Sequence, residues 1–133
     1  MKEINNLIKY WQKTAEHDHK TMMSLFNSKR YSDSLFYGHL ALEKILKALV
    51  IKETKDHAKP IHNLVVLSKD ANLLLDKVDL EFLAEMNKFN IRARYPDYKL
   101  SFYKLCTLRY TEPRIKKVKA LYKKLCQKLQ LPK

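Results

Sequence analysis

Between Phe89 and Lys99 the chain reads FNIRARYPDYK, which places two arginines, two tyrosines, an aspartate and a proline in one short segment. A guanidinium stays charged at physiological pH, and its planar fork matches a phosphate bidentately. Pro96 disfavours helical geometry at Tyr95, so these groups gather where a helix must end or kink, around Arg94. Residue types of this kind suit anion binding by Arg92 and Arg94, with Tyr95 and Asp97 beside them. The competing reading is an Arg94–Asp97 ion pair that closes the helix end, with Tyr95 and Tyr98 packed on the protein.

The remaining chemistry-bearing residues are less suggestive. His17 and His19, two apart on a helix, point in different directions. His39 and Glu43 share one face at a spacing of four, too few ligands for a metal site. A buried His39 is expected to hydrogen-bond a neighbour such as Asp18. His62 follows the loop at Pro60, where it either caps a helix or reaches a ligand. Cys106 and Cys126 have no second pair with which to build a zinc site, and read as semi-buried thiols of a reduced protein. The chain has no glycine-rich phosphate loop and no Ser/His/Asp or Cys/His arrangement. No metal or cofactor is expected.

The net charge of +13 over 133 residues is uneven. From Lys99 onward eleven basic residues face the single Glu112, a local excess of +10 in the last 35 residues. This asymmetry points to an anionic partner such as a nucleotide, a nucleic acid or an acidic protein surface. A solvated lysine face that aids solubility explains it equally well. The opening MKEINNLIKYWQKTAEHDHK lacks the unbroken apolar run of a signal peptide. No stretch approaches the roughly 20 apolar residues of a membrane span, so the expected location is the cytoplasm.

Helices must position these groups. One Gly and four Pro argue against turn-rich β architecture. Ile4, Ile8, Trp11, Ala15, Asp18, Met22 and Leu25 form one stripe of a first helix, from Ile4 to about Phe26. Asp18 breaks that stripe and needs a partner, because an unpaired buried charge is costly. Ser32 or Asp33 is a plausible cap for a second helix, Ser34 to Lys52. There Leu35, His39, Leu42, Leu46 and Leu49 form a seam that Phe36, Leu40, Ile45, Val50 and Ile51 widen to most of the circumference. A helix apolar nearly all round is a central one. Gly38 inside it implies close approach of another backbone, from a neighbouring helix or a second subunit.

A short third helix carries Leu64, Val65 and Leu67. Asp79 is expected to cap a fourth, with Phe82, Leu83, Met86 and Asn90 on one side. A segment with Leu100, Tyr103, Leu105 and Leu108 follows. Thr111 is the expected cap of the last helix, with Pro113 in its first turn. Its Ile115, Val118, Tyr122, Leu125 and Leu129 face inward. Lys116, Lys117, Lys119, Lys123, Lys124 and Lys128 form the outer arc. With no repeat and no linker, residues 1–133 read as one all-α domain, an antiparallel helix bundle.

Four stretches, YWQKTAEHD, GHLALEKILKALV, IHNLVVL and FNIRARYPDY, lie in an order and at distances that resemble the HEPN family. Glu43-Lys44, His62-Asn63-Leu64 and Arg94-Tyr95-Pro96-Asp97 carry most of the likeness. The resemblance implies an up-down four-helix bundle with one additional short helix, commonly homodimeric and associated with nucleotides or RNA. Catalytic members are metal-independent ribonucleases with an Arg followed, four to six residues on, by a His beside the dimer cleft. In RARYPDYKLSF no histidine falls in that window from Arg92 or Arg94, and Asp97 stands about where it would be. Metal-free RNA cleavage needs a base for the 2′-hydroxyl, an acid for the leaving oxygen and positive charge on the phosphate. Imidazole suits proton transfer near neutral pH, whereas a carboxylate, with a free pKa of about 3.9, is a weak base there.

The segment keeps the phosphate grip and lacks the proton shuttle. The expected function is therefore a non-catalytic homodimer that binds nucleotide or RNA phosphate. Arg92, Arg94, Tyr95, Asp97, Lys44 and His62 are the candidate ligand residues, and Arg92 and Asp97 the weak catalytic ones. Two alternatives remain. One is a partner subunit of a nucleotidyltransferase in a toxin–antitoxin-type pair; the other is a ribonuclease whose acid–base pair is relocated to His62 or Asp97.

Overall fold

The computed structural model describes residues 1–130; Lys133 of the basic tail lies outside them. Six helices follow one another: α1 (Lys2–Asn27), α2 (Tyr31–Thr54), α3 (Leu64–Asp70), α4 (Lys77–Arg94), α5 (Pro96–Leu105) and α6 (Leu108–Leu129). No strand occurs among the described residues. Short additional helices number two, α3 and α5, where one was expected.

α2 is the centre, as its near-continuous apolar surface requires. Leu35, Leu42, Ile45, Leu46 and Ile51 are fully buried. Around them pack Ala15 and Met22 of α1, Leu64 and Leu67 of α3, Leu83, Met86 and Phe89 of α4, Phe102 of α5, and Val118 and Leu125 of α6. Each buried Leu contributes roughly 1.5–3 kcal/mol relative to exposure.

Gly38 allows this convergence, though not by backbone contact as the sequence suggested. A Cβ there would sit 3.2 Å from the Met22 sulfur, 3.4 Å from Met86 Cε and 3.4 Å from Val118 Cγ2. Three helices press side chains, not backbone, against that gap.

The starts of α2, α4 and α6 lie a few residues earlier than expected. α2 begins at Tyr31 after Arg30 and has no side-chain cap, so Ser32 and Asp33 fall in its first turn. Asp76, not Asp79, caps α4 by accepting from the Asp79 N–H at 2.8 Å. Thr107, not Thr111, caps α6, which leaves Pro113 inside the helix and Thr111 buried. In a chain with a single glycine, Lys29, Lys55 and Asn72 take the left-handed conformation at helix ends. Lys and Asn there accept a backbone cost of roughly 1 kcal/mol that glycine would avoid.

Long side chains tie the outer helices. Arg114 of α6 donates to both carboxylate oxygens of Glu85 at 3.2 and 3.3 Å, and Lys124 reaches Asp79 at 2.6 Å. Lys52 of α2 donates to the carbonyls of Lys128, Leu129 and Gln130 at 2.8, 3.3 and 3.1 Å. A cation at that position also opposes the negative end of the α6 dipole. No described helix is long and apolar enough to cross a membrane.

Candidate functional site, a polar seam between α2, α3 and α4

α4 ends where Pro96 dictates. Tyr95 is extended, at φ −92° and ψ 129°, and Pro96 starts α5 at its first helical position, where a missing N–H costs nothing. The anticipated stop is a corner between two helices. Arg94 is exposed and Arg92 half-buried. Among the described residues neither meets a carboxylate, so the Arg94–Asp97 ion pair does not form. Asp97, Tyr95 and Tyr98 are exposed, and the tyrosines do not pack on the protein as that reading required. The Arg94 guanidinium lies over the Phe36 ring at 6.0 Å and makes a long, 3.5 Å contact to Asn90 Oδ1.

One turn further along α2 from Phe36 is a buried polar cluster that the sequence only hinted at. Glu43, 4% exposed, accepts from His62 Nδ1 through Oε1 at 3.0 Å and from Lys47 through Oε2 at 3.1 Å. Lys47 is itself buried, with its ammonium 5.2 Å from the centre of the Trp11 ring. His39 Nε2 lies 3.1 Å from the His62 carbonyl. A carbonyl only accepts, so Nε2 of His39 carries the proton. Its partner is this carbonyl and not Asp18. The other nitrogen, Nδ1, is buried without a partner, 3.8 Å from Glu43 Oε1.

Burial lowers the His39 pKa to about 4; the Glu43 carboxylate and the bond to His62 oppose this, while the positive charges of His62 and Arg94 reinforce it. Desolvation wins, and the ring is neutral near pH 7.

His62 therefore does not cap α3. Asn63 does, accepting from Val65 N at 3.0 Å and Val66 N at 3.2 Å. Asn87 of α4 accepts from Leu64 N at 2.8 Å and donates to Asn63 Oδ1 at 3.1 Å. Asn87, Asn90 and Arg94 recur at helical spacing on α4; Asn87 bonds the start of α3, and Arg94 lies over Phe36 of α2. Sequence reasoning missed Asn87 and the role of Glu43. A signal existed: His39, Glu43 and Lys47 repeat every four residues inside an otherwise apolar helix.

Lys44 is placed elsewhere. Its ammonium lies 2.6 Å from Asp18 Oδ2, on the α1 side of α2, and supplies the partner that Asp18 required. The Asp18 oxygen has no aligned hydrogen bond, so the contact is an ion pair first. Cys106 is buried, and burial pushes its thiol up to about 12 against the opposing charges of Arg114 and Arg92, which makes it a poor nucleophile. No group of three His, Cys, Asp or Glu among the described residues is placed to hold a metal ion.

The model of the HEPN domain family matches residues 8–129, nearly the whole chain. Comparisons with curated proteins and with solved structures gave no match.

The His39 shift has a signed consequence. Its folded pKa of about 4 lies below the ordinary 6.5, so its contribution to stability is complete above pH 6.5 and is lost as pH falls toward 4. Urea unfolding between pH 8 and 4 should show up to about 3 kcal/mol of loss across that window. His39→Gln should flatten this part of the profile; an unchanged slope in the variant would refute the assignment.

Proposed function

Because the chain belongs to the HEPN family, we propose that it works as a homodimer that binds nucleotide or RNA phosphate through Arg92 and Arg94. The observation that carries this reading is the absence, among the described residues, of any carboxylate paired with either guanidinium. An arginine already neutralised inside the fold has little charge left to offer an anion. These two are free to donate, and Arg94 is exposed at the α4–α5 corner. Lys116, Lys117, Lys119 and Lys123, exposed along α6, supply a wider positive field that draws polyanions toward the surface. Contacts of this kind read backbone phosphate, so affinity depends strongly on salt and little on base sequence.

The helix arrangement is read as an up-down four-helix bundle of α1, α2, α4 and α6, to which α3 and α5 are added. α5 supports the dimer. It buries only Phe102, while Tyr98, Leu100, Tyr103 and Leu105 stay exposed, Leu100 at 64% and Tyr103 at 67%. Next to Pro96 and Lys99, Leu100 and Tyr103 border a groove shared with Ser32 and Asp33 at the start of α2. A contiguous apolar surface of this kind marks an interaction site, and a second copy of the chain is the partner that the family resemblance supplies.

Fluorescence anisotropy with labelled single-stranded RNA at low salt should show saturable binding. Each phosphate released by a variant should flatten the salt slope by about 0.7, and losing both arginines should weaken binding at least about tenfold. Equal affinity in wild type and Arg92→Ala/Arg94→Ala would remove the assignment. Separately, sedimentation equilibrium should return a dimer mass that Leu100→Lys/Tyr103→Lys reduces to monomer. A monomeric wild type at tens of micromolar (about the concentration of such a run) speaks against the dimer.

A further inference from the structure

Arg92 and Arg94 stand two apart on α4, so they leave the helix on nearly opposite sides. Contacts fix which sides these are. Glu85, two turns before Arg92 on the same row, meets Arg114 of α6 at 3.2 and 3.3 Å, which puts that row on the α6 side. Asn87, two turns before Arg94, bonds Leu64 N at the start of α3, and Arg94 itself lies over the Phe36 ring of α2. Between the two rows α4 turns a third face outward, opposite its buried Phe82, Met86 and Phe89. Lys88, Ile91 and Tyr95 share that face at spacings of three and four. All three are exposed, Ile91 at 49% and Tyr95 at 57%. Tyr95 still follows the helical register, since its N–H bonds the Ile91 carbonyl at 3.1 Å before Pro96 turns the chain. The end of α4 is thus an apolar and aromatic strip with one guanidinium along each edge.

We propose that this strip stacks a base of a single-stranded polynucleotide, and that Arg92 and Arg94 hold two different phosphates of the same strand as it crosses α4. The proposal rests on the phosphate-binding reading above and narrows its ligand. A helix with its side chains is about 10–12 Å across, so one phosphate does not reach guanidinium groups on both flanks. A nucleoside monophosphate satisfies one arginine; a strand satisfies both and lays the base between them on Tyr95. An aromatic ring accepts the face of any base, so stacking adds affinity without adding sequence preference. Bases in a duplex already stack on one another, and Tyr95 finds no free face there. Lys88, two turns before Tyr95, extends the cationic track along the same face. Asp97, the acid of the corner, opens α5 and lies outside these three rows.

Anisotropy at low salt with the full chain compares three labelled probes of equal length: single-stranded oligoadenylate, the same backbone without bases, and a duplex. Wild type should bind oligoadenylate at least about fivefold more tightly than the abasic strand. Tyr95→Ala should erase that preference and leave the abasic strand and the duplex unaffected, whereas Tyr95→Phe should keep it. Arg92→Ala and Arg94→Ala should each lower the salt slope on oligoadenylate by about 0.7, and the double variant by about 1.4. Equal affinity of wild type for the two strands, or a preference that Tyr95→Ala retains, overturns the stacking role and leaves the phosphate reading intact. Equal weakening of all three probes by Tyr95→Ala marks a structural role and does the same. A double variant no different from either single one overturns the two-phosphate assignment, because both arginines then share one site. No binding of any probe at low salt overturns this proposal and the reading beneath it.

Discussion

A carboxylate inside the most apolar helix of the molecule fixes more of this structure than any other single group. Glu43 could not stay ionised in the core of α2 without partners, since an isolated buried charge is destabilising by several kcal/mol at the least (roughly the scale of its lost hydration). Lys47, one turn on, meets one oxygen, and His62, from the connection between α2 and α3, meets the other. Satisfying Glu43 therefore draws residues 55–63 back across α2, sets where α3 starts, and brings α3 within reach of Asn87 on α4. The same contact orients the imidazole.

The seam that results has two parts of different character. At one end is Arg94, charged and without a carboxylate partner, at a corner whose direction Pro96 imposes. At the other is His62, half exposed, with its Nδ1 against the Glu43 carboxylate. His39 is kept neutral by burial, aided by the positive charges of His62 and Arg94. In the motif that the family resemblance implies for catalytic members, arginine and histidine stand four to six residues apart. Here the position that would hold the histidine is Asp97, exposed and unpaired among the described residues.

Much of the fold was legible because it is written in periodicity. The α1 stripe, the all-round apolar character of α2 and the inward face of α6 depend only on local spacing. α2 is buried as expected, α1 buries Ala15, Asp18 and Met22 of its stripe, and α6 buries all of its expected face but the half-buried Tyr122. Caps were read less well. Ser32, Asp33, Asp79 and Thr111 are all capping types, but helix starts were decided by what packed behind them, and Asp76 and Thr107 hold those places. The need of Asp18 for a partner was readable; that the partner is Lys44, and so removes Lys44 from the candidate ligands, was not. The pairing of His62 with Glu43 spans 19 residues and a loop, and no local pattern encodes it. The exposure of α5 was hidden for a related reason: Leu100, Tyr103 and Leu105 have core-like chemistry, and only the packed helices show that α4 and α2 offer them no face.

The central claim is that Glu43 holds His62 with its proton on Nδ1 and its lone pair on Nε2. Nitrogen-15 NMR of imidazole-labelled protein reports this directly, because protonated and bare ring nitrogens resonate far apart and a Glu43→Gln variant identifies the coupled ring. At a pH where His62 is neutral, a bare Nε2 with protonated Nδ1 is the predicted state. A proton found on Nε2, the form usual for free histidine, would contradict it.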